Sequence, residues 1–221
     1  MKIIFLGANN PETARVVKAV EASDRGFEVL GFLDNDPVKT GTTFCGWPVL
    51  GGFDVLPELD LPNVRFVNLI TGSAVVRFET SREVARKGGR FTNLIHPSVD
   101  LDMVEVGVGN YIQEKVIVQA GVRIGNNSSI HIGTLVGHET TIGNSSFLAH
   151  GINVSGLVVI EDGVFMGTGV SIVPRVRIGR FSVIGAGTVI IGDIPPYSVV
   201  VGNPGKVIKT KSVPHEHGNP F

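Results

Sequence analysis

The chain has 221 residues, of which 43% are hydrophobic and 18% charged, with 19 Lys and Arg against 20 Asp and Glu and a net charge of −1. This composition excludes global disorder, and the charge balance gives no electrostatic case for nucleic acid. The single cysteine, Cys45, excludes a disulfide framework and a cysteine-based zinc site. No apolar run approaches the roughly 18 residues of a membrane span, and the start has the pattern of a first strand, so we expect a cytoplasmic protein without membrane insertion.

The first 95 residues alternate between two patterns, which predicts an α/β unit. Apolar runs at 2–7, 27–33, 64–70 and 91–95 are typical of strands, and residues 11–22 and 72–87 have helical spacing. Segment 34–48 is rich in turn residues. Asn10 is the expected cap of the first helix because it precedes Pro11. Strands that alternate with helices favour a small parallel sheet of the Rossmann-like kind over residues 1–95.

The second half carries a six-residue repeat. From Val106 to Ile190, fifteen consecutive sixth positions are Ile, Leu, Val or Met. Most residues two places earlier are small or β-branched, and glycine often follows the large one. Each unit therefore fits one short strand and one tight turn, and three units make a triangular coil. We predict an all-β parallel β-helix of about five coils at 106–195, after a junction at 96–105 and before a capping segment and tail at 196–221.

Three short motifs mark a resemblance that covers essentially the whole chain. They are Leu-Ile-His-Pro at 94–97, Val-Gly-His-Glu at 136–139 and Val-Gly-Asn-Pro-Gly-Lys at 201–206. With the repeat, they resemble the sugar O-/N-acyltransferases of the NeuD/PglD type, which are hexapeptide-repeat enzymes. The resemblance implies a left-handed β-helix, an exception to the right-handed crossover rule. It also implies acetyl-CoA as acyl donor, a nucleotide-sugar substrate, surface polysaccharide biosynthesis, and a homotrimer with sites between subunits.

His138 is the candidate catalytic base. It follows Gly137 in a turn of the repeat, and histidine is the side chain best suited to proton transfer at neutral pH. Glu139 comes next, and a neighbouring carboxylate can hold an imidazole tautomer. One coil further on, Gly156 stacks beside His138 and can offer a backbone N–H to the thioester carbonyl or oxyanion. By resemblance, His138 and Glu139 are the base and its helper, and Gly156 belongs to the acetyl-CoA site.

A second column of turns predicts a groove for the donor. Small residues there leave room for a pantetheine arm, and the resemblance carries acetyl-CoA contacts onto Thr168 and Ala186. The family commonly has a second histidine where this chain has Phe147, and His150 either substitutes for it or is a bystander. For His131 we expect an exposed turn side chain without a role. The full predicted donor set is His150, Gly156, Gly167, Thr168, Gly185, Ala186 and Lys206, with Lys209 as a further phosphate contact.

The substrate is expected at turns of the first unit. The family's first turn is often Gly-Ala-Ser-Gly-His, whereas this chain has Gly-Ala-Asn-Asn-Pro at 7–11, which lacks one glycine and the histidine. It still leads into a helix N-terminus suited to an anion. A Gly-x-Gly-x-x-Gly motif is missing, so NAD binding is not expected. The predicted substrate residues are Gly7, Asn9 and Asn10 in this turn, Asp34 and Asn35 after the second strand, and Gly72 after the third.

The resulting hypothesis is an acetyl-CoA-dependent N-acetyltransferase. The amine of a nucleotide-linked amino sugar attacks the thioester directly, and no acyl-enzyme forms. Two alternatives stay open: a sugar hydroxyl as acceptor, which gives an O-acetyltransferase, and a catalytically silent β-helix that binds sugar nucleotides. No metal site is predicted, since His215 and His217 lie in a polar tail without convergent ligands.

Overall fold

A computed structural model describes residues 1–23 and 26–211, so His215 and His217 lie outside the described residues. The first unit contains β1 (Lys2–Leu6), α1 (Glu12–Glu21), β2 (Glu28–Leu33), β3 (Thr43–Phe44), β4 (Trp47–Gly51), β5 (Val64–Asn68), α2 (Ala74–Arg86) and β6 (Arg90–Phe91), with a 3-10 helix at Phe53–Glu58. The sheet order is β3-β4-β2-β1-β5-β6. All pairs are parallel except the β3–β4 hairpin.

Strand β1 lies near the centre of this sheet and is buried on both faces. Ile3 and Phe5 pack with Val16 of α1, whereas Ile4 packs on the opposite face with Val84 of α2. Successive strand residues point to opposite faces, so a strand with helices on both sides needs a continuous apolar run. The run at 2–6 meets this requirement.

The structure differs from three expectations for the first unit. Segment 34–48 is more than a series of turns, because β4 starts at Trp47 and pairs in parallel with β2. The predicted strand at 91–95 is two strands: Arg90–Phe91 pairs with β5, whereas Leu94–Ile95 joins the β-helix. Pairing along the β-helix therefore begins inside the range expected for the first domain. The second helix begins at Ala74 and is capped by Ser73 rather than opened by Gly72.

The second unit is a parallel β-helix with three walls. The long wall contains β7 (Leu94–Ile95), β9 (Tyr111–Ile112), β12 (Ser129–Ile130), β15 (Phe147–Leu148), β18 (Phe165–Met166), β21 (Val183–Ile184), β23 (Ser198–Val201) and the antiparallel β24 (Lys206–Thr210). The second wall contains β8 (Glu105–Val106), β11 (Arg123–Ile124), β14 (Thr141–Ile142), β17 (Val159–Ile160) and β20 (Arg177–Ile178). The third wall contains β10 (Ile117–Val118), β13 (Leu135–Val136), β16 (Asn153–Val154), β19 (Ser171–Ile172) and β22 (Val189–Ile190).

The repeat positions form the core of the β-helix. The aliphatic residues of successive coils pair in register, as Ile112, Ile130 and Leu148 do along the long wall. Thirteen of the fifteen are buried, while Val106 and Val118 are partly buried and pack against the same cluster. The coil therefore repeats every 18 residues without interruption, as the hexad pattern predicts.

The α/β unit packs on the outer face of the long wall. Tyr111 points outward from β9 and belongs to the same hydrophobic cluster as Phe5 and Val16. Phe78 of α2 meets Phe181 edge-to-face, with the ring centroids 5.5 Å apart. Across residues 1–23 and 26–211, no helix has the length and apolar character needed to cross a bilayer.

Candidate active site

The turn between β13 and β14 carries the predicted catalytic pair. His138 Nδ1 lies 3.3 Å from Glu139 Oε2, and the two side chains are 58% and 63% exposed. Glu139 has a left-handed backbone conformation, with φ of 56°. The His138 N–H donates to Gln119 Oε1 at 2.9 Å, which fixes this turn to the preceding coil. Imidazole and carboxylate thus stand together at an open edge of the β-helix.

Gly156 lies beneath the His138 ring in the next coil. A Cβ at position 156 would stand 2.5 Å from His138 Nε2. Gly137, in the turn that carries His138, approaches the Gly156 backbone equally closely, because a Cβ at Gly137 would stand 2.5 Å from Gly156 N. No hydrogen bond runs from the Gly156 N–H to any other described residue. The corner therefore combines a basic nitrogen with a backbone donor that has no acceptor within the described part of the chain.

The predicted donor groove lies at the other edge of the third wall. His150, Thr168 and Ala186 follow one another there in successive turns between the long and third walls, and all three are exposed. A Cβ at Gly167 would stand 2.6 Å from Ala186 N, so the coils approach closely at this corner. His138 follows β13, whereas His150 precedes β16. Within one chain, the His138 corner and this groove therefore lie on opposite edges of the third wall.

His131 does not have the exposed side chain that we expected. It is 3% exposed. Its ring centroid lies 4.7 Å from that of Phe147 and 5.2 Å from that of His150. Burial lowers the pKa of His131 to about 3, with smaller contributions from the charges of His150 and Arg77. Phe147 is also buried and stacks on Phe165 at 5.0 Å, so an aromatic cluster fills this part of the contact with the α/β unit.

The carboxyl ends of β1, β2 and β5 meet at one edge of the α/β sheet. Gly7 has a φ of 94°, and its N–H donates to Leu33 O at 2.8 Å. A Cβ at Gly7 would stand 3.2 Å from Ile70 Cγ1, so the first and third turns are in contact. Ligands of parallel α/β sheets bind at such carboxyl edges.

Asp34 connects the first two turns. Its Oδ2 accepts from Ala8 N at 2.9 Å and from Lys39 Nζ at 2.8 Å, and its Oδ1 accepts from Asp36 N at 3.0 Å. Burial alone would raise the pKa of Asp34, but the hydrogen bonds from Lys39, Ala8 and Asp36 outweigh it and hold the pKa below its ordinary value.

Lys39 is a cation at this edge that the sequence analysis missed. Its Nζ also contacts Asn9 Oδ1 at 2.5 Å, so one ammonium joins the predicted residues Asn9 and Asp34. Asn10 Oδ1 accepts from Glu12 N at 3.0 Å at the start of α1, next to Pro11, which already has helical backbone angles. No local signal marked Lys39, because a lysine six residues after a strand is usually solvated.

The remaining predicted residues occupy separate places. Asn35 Oδ1 accepts from Phe53 N at 2.9 Å and so holds the loop after β4. Gly72 is exposed. It borders a cavity of about 190 Å³ between the start of α2 and the long wall, lined by Gly72, Ser73, Ala74, Val75, Gly163, Phe165, Phe181, Val183 and Lys211. Lys206 begins β24, which extends the long wall after the last coil, and its side chain is exposed.

The part of the chain that the structure describes contains no candidate metal site. There, no group of three or more His, Cys, Asp or Glu side chains is placed to hold an ion.

The fold is that of the hexapeptide-repeat β-helix acetyltransferases. Structural neighbours include a perosamine N-acetyltransferase from Caulobacter crescentus, which confirms the resemblance drawn from the sequence. PerB from Caulobacter crescentus, solved with CoA and GDP-perosamine, is 26% identical with a TM-score of 0.84 over 95% of this chain and 98% of its own. The acetyltransferase domain of PglB from Neisseria gonorrhoeae FA1090 has the same fold. It is 24% identical with a TM-score of 0.83, over 94% of this chain and 99% of its own.

Sequence relatives match a much shorter stretch. A protein from Staphylococcus aureus (strain COL) and one from Saccharomyces cerevisiae, both named as acetyltransferases, are 58% identical over 38 residues. That match spans 17% of this chain and 19% of each relative. No protein-family model matches the chain.

Proposed function

We propose that this protein is an acetyl-CoA-dependent N-acetyltransferase that acts on the amine of a nucleotide-linked amino sugar. The observation that carries the proposal is the corner formed by His138, Glu139 and Gly156. The similarity to PerB over nearly the whole of both chains supports the donor and acceptor classes, because that enzyme was solved with CoA and GDP-perosamine.

The corner offers the groups that direct acyl transfer requires. Nδ1 of His138 faces Glu139, so the carboxylate holds the proton on that nitrogen and leaves Nε2 as the base. Nε2 takes a proton from the amine as its nitrogen bonds to the thioester carbon. The Gly156 N–H stabilises the oxyanion. The C–S bond then breaks, and the proton passes from His138 to the departing thiolate of CoA.

The acceptor is assigned to the carboxyl edge of the α/β unit, which we propose to be a Rossmann-like substrate domain over residues 1–95. Gly7, Asn9, Asn10, Asp34, Asn35 and Gly72 lie in the turns at this edge or support them. The helix N-terminus at α1 and the Lys39 ammonium supply positive potential for a nucleotide phosphate. Similarity to left-handed β-helix enzymes supports that hand of winding for residues 106–195.

A complete site requires a second copy of the chain. Within one chain, His138 and the groove at His150, Thr168 and Ala186 lie on opposite edges of the third wall. Packing two β-helices side by side brings one copy's His138 against the other copy's groove. Three such contacts close a three-fold ring. We therefore propose a homotrimer with sites between subunits, in which Gly167, Gly185 and Lys206 complete the donor groove.

The test is a thiol-release assay with acetyl-CoA and a panel of UDP-, dTDP- and GDP-linked amino sugars. Wild-type protein is compared with His138→Ala, and the products are analysed by mass to separate N- from O-acetylation. Release with one acceptor that is lost in the variant supports the reaction and the base. Equal release by both proteins would exclude His138 as the base. Acetyl-CoA binding without release for any acceptor would favour the catalytically silent alternative.

A further inference from the structure

Arg77 is a fully buried arginine without a carboxylate partner among the described residues. Its side chain lies on α2 and is 0% exposed. Nε donates to Asn127 O at 2.6 Å, and Nη1 donates to Ile70 O at 2.8 Å. Burial lowers the pKa of Arg77 to about 9, so the guanidinium still carries its charge at neutral pH.

Burying a guanidinium without an opposite charge costs free energy, and the need to fill space does not explain it. A buried charge without an opposite charge loses its hydration, whereas an apolar side chain of similar size fills the same space without that penalty. What an apolar residue cannot do is donate in two directions from one rigid plane. The two acceptors of Arg77 therefore indicate its role.

The two carbonyls belong to different units. Asn127 lies in the β-helix, in the turn between β11 and β12, with a φ of 54°. Ile70 lies in the α/β unit, directly after β5, and leads into the predicted acceptor turn at 71–73. Its N–H is also held, because it donates to Asn68 Oδ1 at 2.9 Å, and Asn68 Nδ2 in turn donates to Arg77 O at 3.0 Å.

The turn that begins at Ile70 also contacts the rest of the acceptor edge. Gly7 approaches Ile70 closely, and Arg77 N donates to Ser73 O at 2.9 Å. A movement of Ile70 against the β-helix would therefore displace the first and third turns together. The guanidinium is a buried polar connection between this edge and the β-helix wall, whereas Arg15 of α1 bonds Glu114 of the β-helix at a more exposed place.

We propose that Arg77 is a positioning residue: by joining Ile70 O to Asn127 O, it holds the acceptor-binding edge at a fixed place relative to the β-helix that carries the base. The inference rests on the proposed function, since it concerns the alignment of that acceptor. Transfer should depend on this alignment, because a displacement of about 1 Å in bound geometry costs roughly 100-fold in rate. Donor binding and thioester hydrolysis by water should not depend on it, because both use β-helix residues alone.

The test compares Arg77→Lys with wild type and with Arg82→Lys. Lysine keeps the charge but cannot span both carbonyls. Arg82 is the matched control: it lies on the same helix, is 9% exposed, and faces Glu79 of its own helix at 3.8 Å. For Arg77→Lys we expect kcat/KM for the acceptor to fall about 100-fold with a raised acceptor KM. The Kd for acetyl-CoA and its slow hydrolysis without acceptor should stay at the wild-type values.

The outcomes separate the two proposals. Absence of transfer by wild type with every acceptor is a failure of the proposed function. Wild-type transfer with an unchanged acceptor KM in Arg77→Lys overturns the positioning role alone. Parallel loss of hydrolysis and transfer, or an Arg77→Lys protein that does not fold, assigns Arg77 a structural role and also overturns the inference.

Discussion

The imidazole of His138 occupies the space that a side chain at Gly156 would need. A Cβ at position 156 would stand 2.5 Å from Nε2 and 2.8 Å from both Cδ2 and Cε1. The orientation of the ring therefore depends on a glycine one coil away. The same residue offers its N–H at the place where the proposed oxyanion develops.

Gly156→Ala should disable catalysis while leaving the fold intact. The methyl group must push the His138 ring aside, and misplacement of a catalytic group by about 1 Å costs roughly 100-fold in kcat/KM. Thiol release measures the loss, and thermal unfolding checks the fold. Gly192→Ala is the control, because a Cβ there meets nothing within 4 Å. Wild-type kcat/KM in Gly156→Ala would refute the role of the ring position.

Glu139→Gln should lower kcat by an amount that reports on the burial of the site. In the isolated chain His138 and Glu139 are both mostly exposed, and an exposed pair is worth about 1 kcal/mol at most, or roughly fivefold in rate. A neighbouring subunit that covers the pair would increase this loss. Steady-state kcat at saturating acceptor measures it. No change in kcat would remove Glu139 from the proposed mechanism.

His131 should make the protein less stable at acidic pH. Its pKa is about 3 in the folded chain against an ordinary 6.5, so between these values the unfolded chain binds the extra proton and stability falls as pH falls. From pH 7.5 to pH 5 the loss is about 2 kcal/mol in the free energy of unfolding. Urea unfolding at both pH values should show a smaller loss in His131→Phe, whereas the exposed-residue control His138→Gln keeps it. An identical pH dependence in wild type and His131→Phe would contradict this assignment.

Gly163→Ala should destabilise the protein more than Gly187→Ala does. Both glycines have left-handed backbones, with φ of 65° and 68°, so each substitution costs about 1–2 kcal/mol. At Gly163 the added Cβ also collides with the Phe181 ring, which adds about 1–3 kcal/mol, whereas at Gly187 it meets nothing within 4 Å. Denaturant unfolding of both variants gives the difference. Equal destabilisation would show that the Phe181 ring moves freely away.

Ile117→Asp should break the proposed trimer. Ile117 is 58% exposed on the third wall, the face that we assign to contacts between copies. A charge buried in that contact opposes association. Sedimentation should show a smaller species, and the thiol-release assay should show little acetyl transfer. Val38→Asp is the control, since Val38 is 82% exposed on the α/β unit, away from this wall. An unchanged sedimentation coefficient for Ile117→Asp would place the contact elsewhere.

The β-helix was predictable from the sequence because its code is local. Each hexad needs one large inward residue, so a fixed period reveals strands of only two residues. The α/β unit offered less. Strand β4 was missed because Pro48 and Gly51 interrupt a short run, and its pairing with β2 is decided by the distant partner.

The candidate site was predictable only where a motif identified it. His138, Glu139 and Gly156 follow from the repeat phase together with the resemblance. The burial of His131 depends on how the α/β unit covers the long wall, and no local pattern contains that information. Arg77 and Lys39 look like ordinary charged residues in sequence. Their partners, Asn127 and Asn9, are 50 and 30 residues away.

The pairing of Leu94–Ile95 with β9 makes the first coil depend on the segment that leaves the α/β unit. A chain cut at residue 96 would lose this strand and expose the backbone edge of Tyr111–Ile112 together with the apolar face of Tyr111. Unpaired edges of this kind recruit other chains. Anyone who exchanges the front unit to alter acceptor choice should therefore join the new segment ahead of Leu94, and keep the starter strand with the β-helix that it completes.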